Sequence, residues 1–286
     1  MKVVVTGANG QLGADVCTYF KAQGAEVFPL THTDADITDE AALNKLLTDI
    51  KPDVVINTVA YHHVEQCENN PDIARAVNAT AVSKLAELGA KQHFRLIHIS
   101  TDYVFDGEKN SPYIERDAVN PLNVYGQTKA EGEKLVMKAS PQHAVVRTSA
   151  LYGTEPCRAK GGLNFIRLML KLSKEKDKLQ VVNNEFVSPT NTYALAAQLY
   201  KIATTPNANG IFHATSEGQC SWYDFANEIF KLTHTSIPVE AVAAANFSKI
   251  KRPAYSVLEN ARLKELGINV MPHWRESLQE YLKVIA

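Results

Sequence analysis

Short runs of consecutive apolar, mostly β-branched residues recur through the first half of the chain, each followed by a longer stretch whose apolar positions return every three or four residues. The runs fall at 2–6, 26–30, 53–58, 95–100 and 144–148, and the helix-patterned stretches at 11–23, 40–50, 71–90 and 124–139. Unalternating apolar runs are what strands covered on both faces require, and helical connections make neighbouring strands parallel. The pattern predicts an α/β fold built on a doubly wound parallel sheet. After about residue 150 the regularity lapses at 153–162, which carries Pro156 and the pair Gly161-Gly162. Helices are predicted at 163–173, 192–204, 221–232 and 274–284, with strands at 180–183 and 210–213. The reading is a dinucleotide-binding domain over 1–150 with a return around 186–214, and a smaller α/β substrate-binding domain from 151–185 and 215–286.

Composition narrows the partners. A chain of 286 residues, 45% hydrophobic, is long enough for one large core, or one large and one small. A formal net charge of -1 supplies no basic field, so neither nucleic acid nor an anionic membrane is an expected partner. The opening MKVVVTGANG holds too short an apolar run for a signal peptide or a membrane span, and a cytoplasmic location is expected. Cys17, Cys67, Cys157 and Cys220 are widely separated, without a CxxC pair, which fits a reducing compartment and suggests neither zinc nor a redox couple.

Gly7-Ala8-Asn9-Gly10-Gln11-Leu12-Gly13 follows the first strand directly and opens a helix. In that context Gly7, Gly10 and Gly13 permit a tight turn and close backbone approach to a pyrophosphate, while the helix N-terminus attracts its charge. A carboxylate at the end of the second strand commonly accepts ribose hydroxyls. Here Val27 to Leu30 runs into Thr31, His32 and Thr33 with no acidic residue. Hydroxyl and imidazole donors suit a 2′-phosphate better, so NADP(H) is favoured over NAD(H). Asp36 either lies near the adenine or caps the helix that follows.

Ser100-Thr101-Asp102 ends the fourth strand, where ligands of an open α/β sheet bind. Tyr125 and Lys129 then open the next helix at i, i+4, on one face. A phenol of pKa near ~10 is a poor proton donor unless a nearby cation stabilises its phenolate. Lys129 is expected to supply that charge, and Thr101 to offer its hydroxyl to the same substrate oxygen. The glycine loop, the Ser-Thr strand end and YxxxK stand in the order such a site needs, and the chemistry requires no metal.

These residues resemble the extended short-chain dehydrogenase/reductases, a Rossmann-type family, and more narrowly the dTDP-4-dehydrorhamnose reductases. The resemblance spans nearly the whole chain through TGANGQLG at 6–13, DIT at 36–38, KPDVVIN at 51–57, STDYVFDG at 100–107, NPLNVYGQTKAEGE at 120–133, RTSALYG at 147–153, SPT at 188–190 and RPAYSVL at 252–258. It implies that Gly10, Gln11 and Leu12 hold a pyrophosphate, that Asp36 and Ile37 border the adenine, and that Ala60, Tyr61 and His62 line the nicotinamide half. It further implies that Thr101 and Asp102 meet the sugar, that Tyr125 is the proton donor with Lys129 its partner, and that Arg252 clamps a nucleotide diphosphate. The implied reaction reduces the 4-keto group of a nucleotide-linked 6-deoxyhexose, and a homodimer is left open. Some relatives hold magnesium near the position of Asp15, but the remaining ligands are not recognisable and no metal is predicted.

Two departures bear on the sugar. Ala150 stands where the family commonly has a tryptophan, which removes aromatic contact area. Tyr61-His62-His63 replaces the usual HTAVDKAE opening, with two histidines that are either substrate donors or polar loop residues. A reductase for another nucleotide-linked deoxysugar, and an NADP-binding regulatory protein similar to the methionine adenosyltransferase β subunit, are the alternatives.

Overall fold

In the computed structural model, which describes residues 1–157, 161–246 and 250–285, six parallel strands form the central sheet. They are β1 (Lys2–Thr6), β2 (Glu26–Leu30), β3 (Val54–Asn57), β4 (Arg95–Thr101), β5 (Ala144–Thr148) and β10 (Gly210–His213), in the spatial order β10-β5-β4-β3-β1-β2. The order reverses between β1 and β3, and the crevice where ligands of such sheets bind opens at their C-terminal ends.

The unalternating apolar runs have a direct cause in the cores. Val3 and Val5 of β1 face one apolar layer together with Ile56, Ile97 and Val146. Val4 faces the opposite layer with Val55, Leu96 and Val145. The first layer is covered by α1 (Gln11–Ala22) and α8 (Thr192–Thr204), the second by α2 (Glu40–Ile50), α5 (Ala81–Gln92) and α6 (Val124–Ala139). With helices on both faces, β3 and β5 bury every side chain they carry, while the edge strand β2 leaves Glu26 and Pro29 exposed.

The expected helix at 71–90 is divided. A short α4 (Pro71–Arg75) passes through a π turn at Ala76–Thr80 into α5. The π turn carries the fully buried Asn78, whose amide accepts from the Tyr61 backbone N–H at 2.9 Å and donates to the Tyr61 carbonyl at 2.9 Å and to Thr128 Oγ1 at 3.1 Å. π turns cluster at functional sites. This one fastens the segment after β3 to α6. His62 and His63 lie immediately before α3 (Val64–Asn69), with His63 at its N-cap position.

The second unit comprises β6 (Leu151–Tyr152), α7 (Phe165–Glu175), β7 (Leu179–Val182), β8 (Phe186–Val187), β9 (Thr190–Asn191), β11 (Cys220–Ser221), α9 (Trp222–Leu232), β12 (Val239–Val242) and α11 (Trp274–Ile285), with α10 (Ala261–Glu265) preceding α11 in the chain. Its core gathers Tyr152, Ile166, Phe225, Trp274 and Tyr281. Two segments fall across the expected division. β8 pairs antiparallel with β11 inside the second unit, so residues 186–187 precede the return to the sheet. Leu263 of α10 packs with α8 and β10 in the first core, although it lies within 215–286. Both placements follow long-range pairing, which periodicity does not encode. Among the described residues no helix is long and apolar enough to cross a membrane.

Candidate active site

The turn after β1 is shaped by what lies against it. At Gly13 a Cβ would sit 2.2 Å from the Gly7 carbonyl oxygen, and at Gly7, with φ of 74°, it would sit 2.7 Å from Thr58 Oγ1. No side chain fits at either position. Gly10 is the N-cap of α1 and offers no side chain to the first-turn N–H groups. These donors face a cleft of about 630 Å³, large enough to enclose a nucleotide-sized ligand. Gly7, Gly10, Gln11, Leu12 and Gly13 all line it. The Leu12 side chain packs in the first core, and Gln11 Oε1 accepts from the Gly153 backbone N–H at 3.1 Å, so both offer backbone to the cleft.

Thr31, His32 and Ile37 line the same cleft, as do Ala60, Tyr61 and His62. Asp36 does not. Its carboxylate accepts from the N–H and hydroxyl of Thr38 at 2.8 and 2.7 Å, with His32 Nδ1 3.8 Å away. Nor does it cap α2, since Asp39 does so by accepting from the Ala42 N–H at 3.0 Å. The view that no carboxylate stands at the end of β2 is also corrected. Asp34 folds back, accepting from the Thr31 N–H at 2.8 Å and the Thr31 hydroxyl at 2.6 Å. Those bonds hold its carboxyl below the usual range, so it is charged at neutral pH.

Thr101, Asp102, Tyr125, Lys129, Ala150 and Arg252 line the same cleft as the glycine loop. α6 is seated by Gly126, where a Cβ would meet the Tyr103 carbonyl oxygen at 2.2 Å, and by Asn123, whose side chain accepts from the Gly126 N–H at 2.9 Å. Tyr125 therefore lies hard against the end of β4, its ring edge-on to Tyr103 at 5.7 Å.

The electrostatics differ from the expectation. Burial pushes the Tyr125 phenol above its ordinary value, and the Thr101 hydroxyl, not Lys129, opposes that shift. Lys129 is 1% exposed and turns into the sheet, with Nζ 3.0 Å from His98 Nε2 and donating to the Ile99 carbonyl at 2.7 Å. Burial draws its ammonium down to about 7. Asp102, expected to meet the sugar, has its carboxylate occupied by the hydroxyls of Thr101 (3.0 Å), Ser149 (2.9 Å) and Ser256 (2.5 Å). It positions Thr101, and burial raises its own pKa.

Arg252 Nη2 donates to Glu65 Oε1 at 2.7 Å, while its Nε is buried without a hydrogen-bond partner. Thr148 Oγ1, also on the cleft wall, is likewise unpaired. Buried polar atoms ordinarily find partners, and these two would gain them from a polar ligand. The unspent first-turn N–H groups, the cradle that a Cβ would fill and these orphaned donors together fit a nicotinamide dinucleotide beside a second nucleotide.

Sequence reasoning missed part of the wall. Phe165 and Trp222 pack with their rings tilted, 4.7 Å between centroids, and line the cleft with Glu185, Tyr103, Ser149 and Ser256. They supply the aromatic surface that Ala150, with φ of 47°, does not. The Ser221–Asp224 capping box marks the helix start before Trp222. Glu185, its carboxyl raised by burial and drawn down by Arg252, has no local signature at all.

Comparison with known proteins accords with this geometry. The family model described as the RmlD substrate binding domain matches residues 1–286. The chain is 38% identical to the spore coat polysaccharide biosynthesis protein SpsK of Bacillus subtilis (strain 168), with 99% of this chain and 97% of that protein covered. A dTDP-4-dehydrorhamnose reductase from Clostridium acetobutylicum superposes with a TM-score of 0.94 at 41% identity, covering 100% of this chain and 99% of that one. A dTDP-4-dehydrorhamnose reductase from Bacillus anthracis, solved in complex with NADP, superposes with a TM-score of 0.93 at 32% identity, covering 100% and 99%. On a glycine cradle, a Thr-Tyr-Lys wall and these matches along the whole length, the chain belongs to the RmlD substrate binding domain family of nicotinamide-dependent oxidoreductases.

Proposed function

We propose that the protein reduces the 4-keto group of a nucleotide-linked 6-deoxyhexose, dTDP-4-dehydro-L-rhamnose being the substrate that best fits, with NADPH as the preferred reductant. The observation that carries the reading is that Thr101, Tyr125 and Lys129 line the same cleft as the Gly7–Gly13 loop. The first-turn N–H groups of α1 hold the pyrophosphate, and the bound dihydronicotinamide supplies hydride to the keto carbon.

Thr101 and Tyr125 bracket the sugar oxygen. As negative charge develops there, the Tyr125 phenol gives up its proton, and the Thr101 hydroxyl stabilises the charge by turning its hydrogen from Asp102 to that oxygen. Asp102 keeps Thr101 in place. Arg252, a lining residue whose Nε has no hydrogen-bond partner, takes the substrate's diphosphate. Phe165 and Trp222 provide the apolar face against the sugar or base. Residues 1–150 together with α8 and β10 carry the cofactor, and the remaining elements close over the sugar.

The test is NADPH oxidation by dTDP-4-dehydro-L-rhamnose, compared with UDP-, CDP- and GDP-linked 4-keto sugars. Turnover should be highest with the dTDP compound and be lost in Tyr125→Phe. Undiminished turnover in that variant overturns the assignment. Because Ala150 leaves the sugar wall to Phe165 and Trp222, the panel also decides between rhamnose and another deoxysugar.

A further inference from the structure

Lys129 carries a fully buried amine whose hydrogen-bond partners decide its charge. Asn57 is buried at the end of β3. Its Oδ1 accepts from the Val59 backbone N–H at 3.1 Å and from Thr6 Oγ1 at 2.8 Å. A backbone N–H cannot reverse its role, so the amide is locked with Nδ2 turned towards His98 Nδ1, 3.1 Å away. His98 Nδ1 must therefore accept. A neutral imidazole accepting at Nδ1 carries its proton on Nε2, and Nε2 lies 3.0 Å from Lys129 Nζ. Two donors do not face each other at that distance, so the amine presents its lone pair to Nε2–H while one of its hydrogens goes to the Ile99 carbonyl at 2.7 Å.

We infer that His98 is a positioning residue that donates from Nε2 to an uncharged Lys129 amine in the ligand-free protein, and thereby sets the pH range in which Tyr125 has a cationic neighbour. The other groups around the amine are consistent with this. Glu133, one turn further along α6, would favour the ammonium, but its carboxylate is engaged by Arg147 of β5 at 2.9 and 2.7 Å and by Ser100 of β4 at 2.5 Å. Tyr125 of α6 and Thr101 and Asp102 at the end of β4 complete the surroundings, with Asp102 tied to three hydroxyls. Burial holds His98 well below the ordinary histidine range, so the neutral tautomer persists wherever the enzyme is folded and active.

The inference rests on the proposed role of Tyr125, but its first test reads the free protein and is independent of any substrate. Nitrogen-15 NMR of the His98 ring should show a protonated Nε2 and an unprotonated Nδ1, and lysine carbon-13 NMR should show one residue titrating near 7. In His98→Asn the amide oxygen replaces Nδ1 as acceptor for Asn57, and nothing donates to the amine. Lys129 should then hold its proton about tenfold more tightly. The alkaline limb of kcat for ketone reduction should move up by the same factor, and His98→Gln, which returns an N–H beside the amine, should move it back. A merely structural role would lower the rate without moving the limb. An Nδ1-protonated ring, a Lys129 titrating in the ordinary lysine range, or an unmoved Lys129 ionisation in His98→Asn would overturn the inference. If that variant does not fold, the tautomer in the unaltered protein decides.

Discussion

Arg252 Nη2 reaches across the cleft to Glu65 Oε1 at 2.7 Å, joining the loop before α10 to the first turn of α3. The guanidinium also lowers the carboxyl of Glu185 from the other side. Two carboxylates therefore compete with any diphosphate for one arginine. Replacing Glu65 by Gln should remove one competitor and lower KM for the nucleotide sugar several-fold with little change in kcat. Arg252→Ala should raise KM by about tenfold, the scale of a lost charge-assisted hydrogen bond. Steady-state kinetics at constant cofactor checks both.

Asp102 holds Thr101, Ser149 and Ser256 through acceptors alone. In Asp102→Asn one of the three hydroxyls meets an N–H instead of an oxygen, and Thr101 loses its fixed position. The expected outcome is a fall in kcat of roughly a hundredfold with KM nearly unchanged, in line with the sensitivity of catalysis to small misplacements.

Asp34 sets a charge at the end of β2 beside Thr31 and the exposed His32. A phosphate on the adenosine ribose would meet that charge as well as the His32 imidazole, the Thr31 hydroxyl being spent on Asp34. Asp34→Asn should shift the ratio of kcat/KM for NADPH over NADH upward several-fold, and His32→Ala should shift it down. Movement in the opposite direction in either variant would overturn the placing of the 2′-phosphate.

His213 is buried in β10, its Nδ1 between the carbonyls of Tyr113 and Glu259 at 3.0 and 3.1 Å and its Nε2 3.3 Å from the Arg147 guanidinium. Burial and that neighbouring charge lower its pKa to about 3. The unfolded chain takes up a proton near ~6.5 and the folded one does not, so unfolding binds protons between these values. Stability from this site is fully present above pH ~6.5 and is lost as pH falls towards 3, at up to about 1.4 kcal/mol per pH unit. Buried Asp15 and Asp102, raised in the fold, act in the opposite sense. The diagnostic quantity is thus the difference between the unaltered protein and His213→Asn in urea unfolding across that range, and the variant should show the shallower slope.

The sequence by itself determined the sheet and the glycine turn at its edge. Unalternating runs such as Val3 to Val5 can only be satisfied between two apolar layers, and the glycines after β1 admit no other turn, so both are legible from residues a few positions apart. The helix over 192–204 and the strand over 210–213 were legible for the same reason, since their periodicity is local. Tertiary structure decided the rest. Glu185, Trp222 and Ser256 reach the cleft from chain segments distant from Thr101, and no spacing announces them. Asp34 looks remote from the end of β2 until the turn brings it back. For Lys129, i, i+4 spacing fixes which face the side chain shares but says nothing of its desolvation. That depends on His98, Asn57 and Ile99, strands away in sequence, and burial outweighs the attraction of Glu133 one turn along.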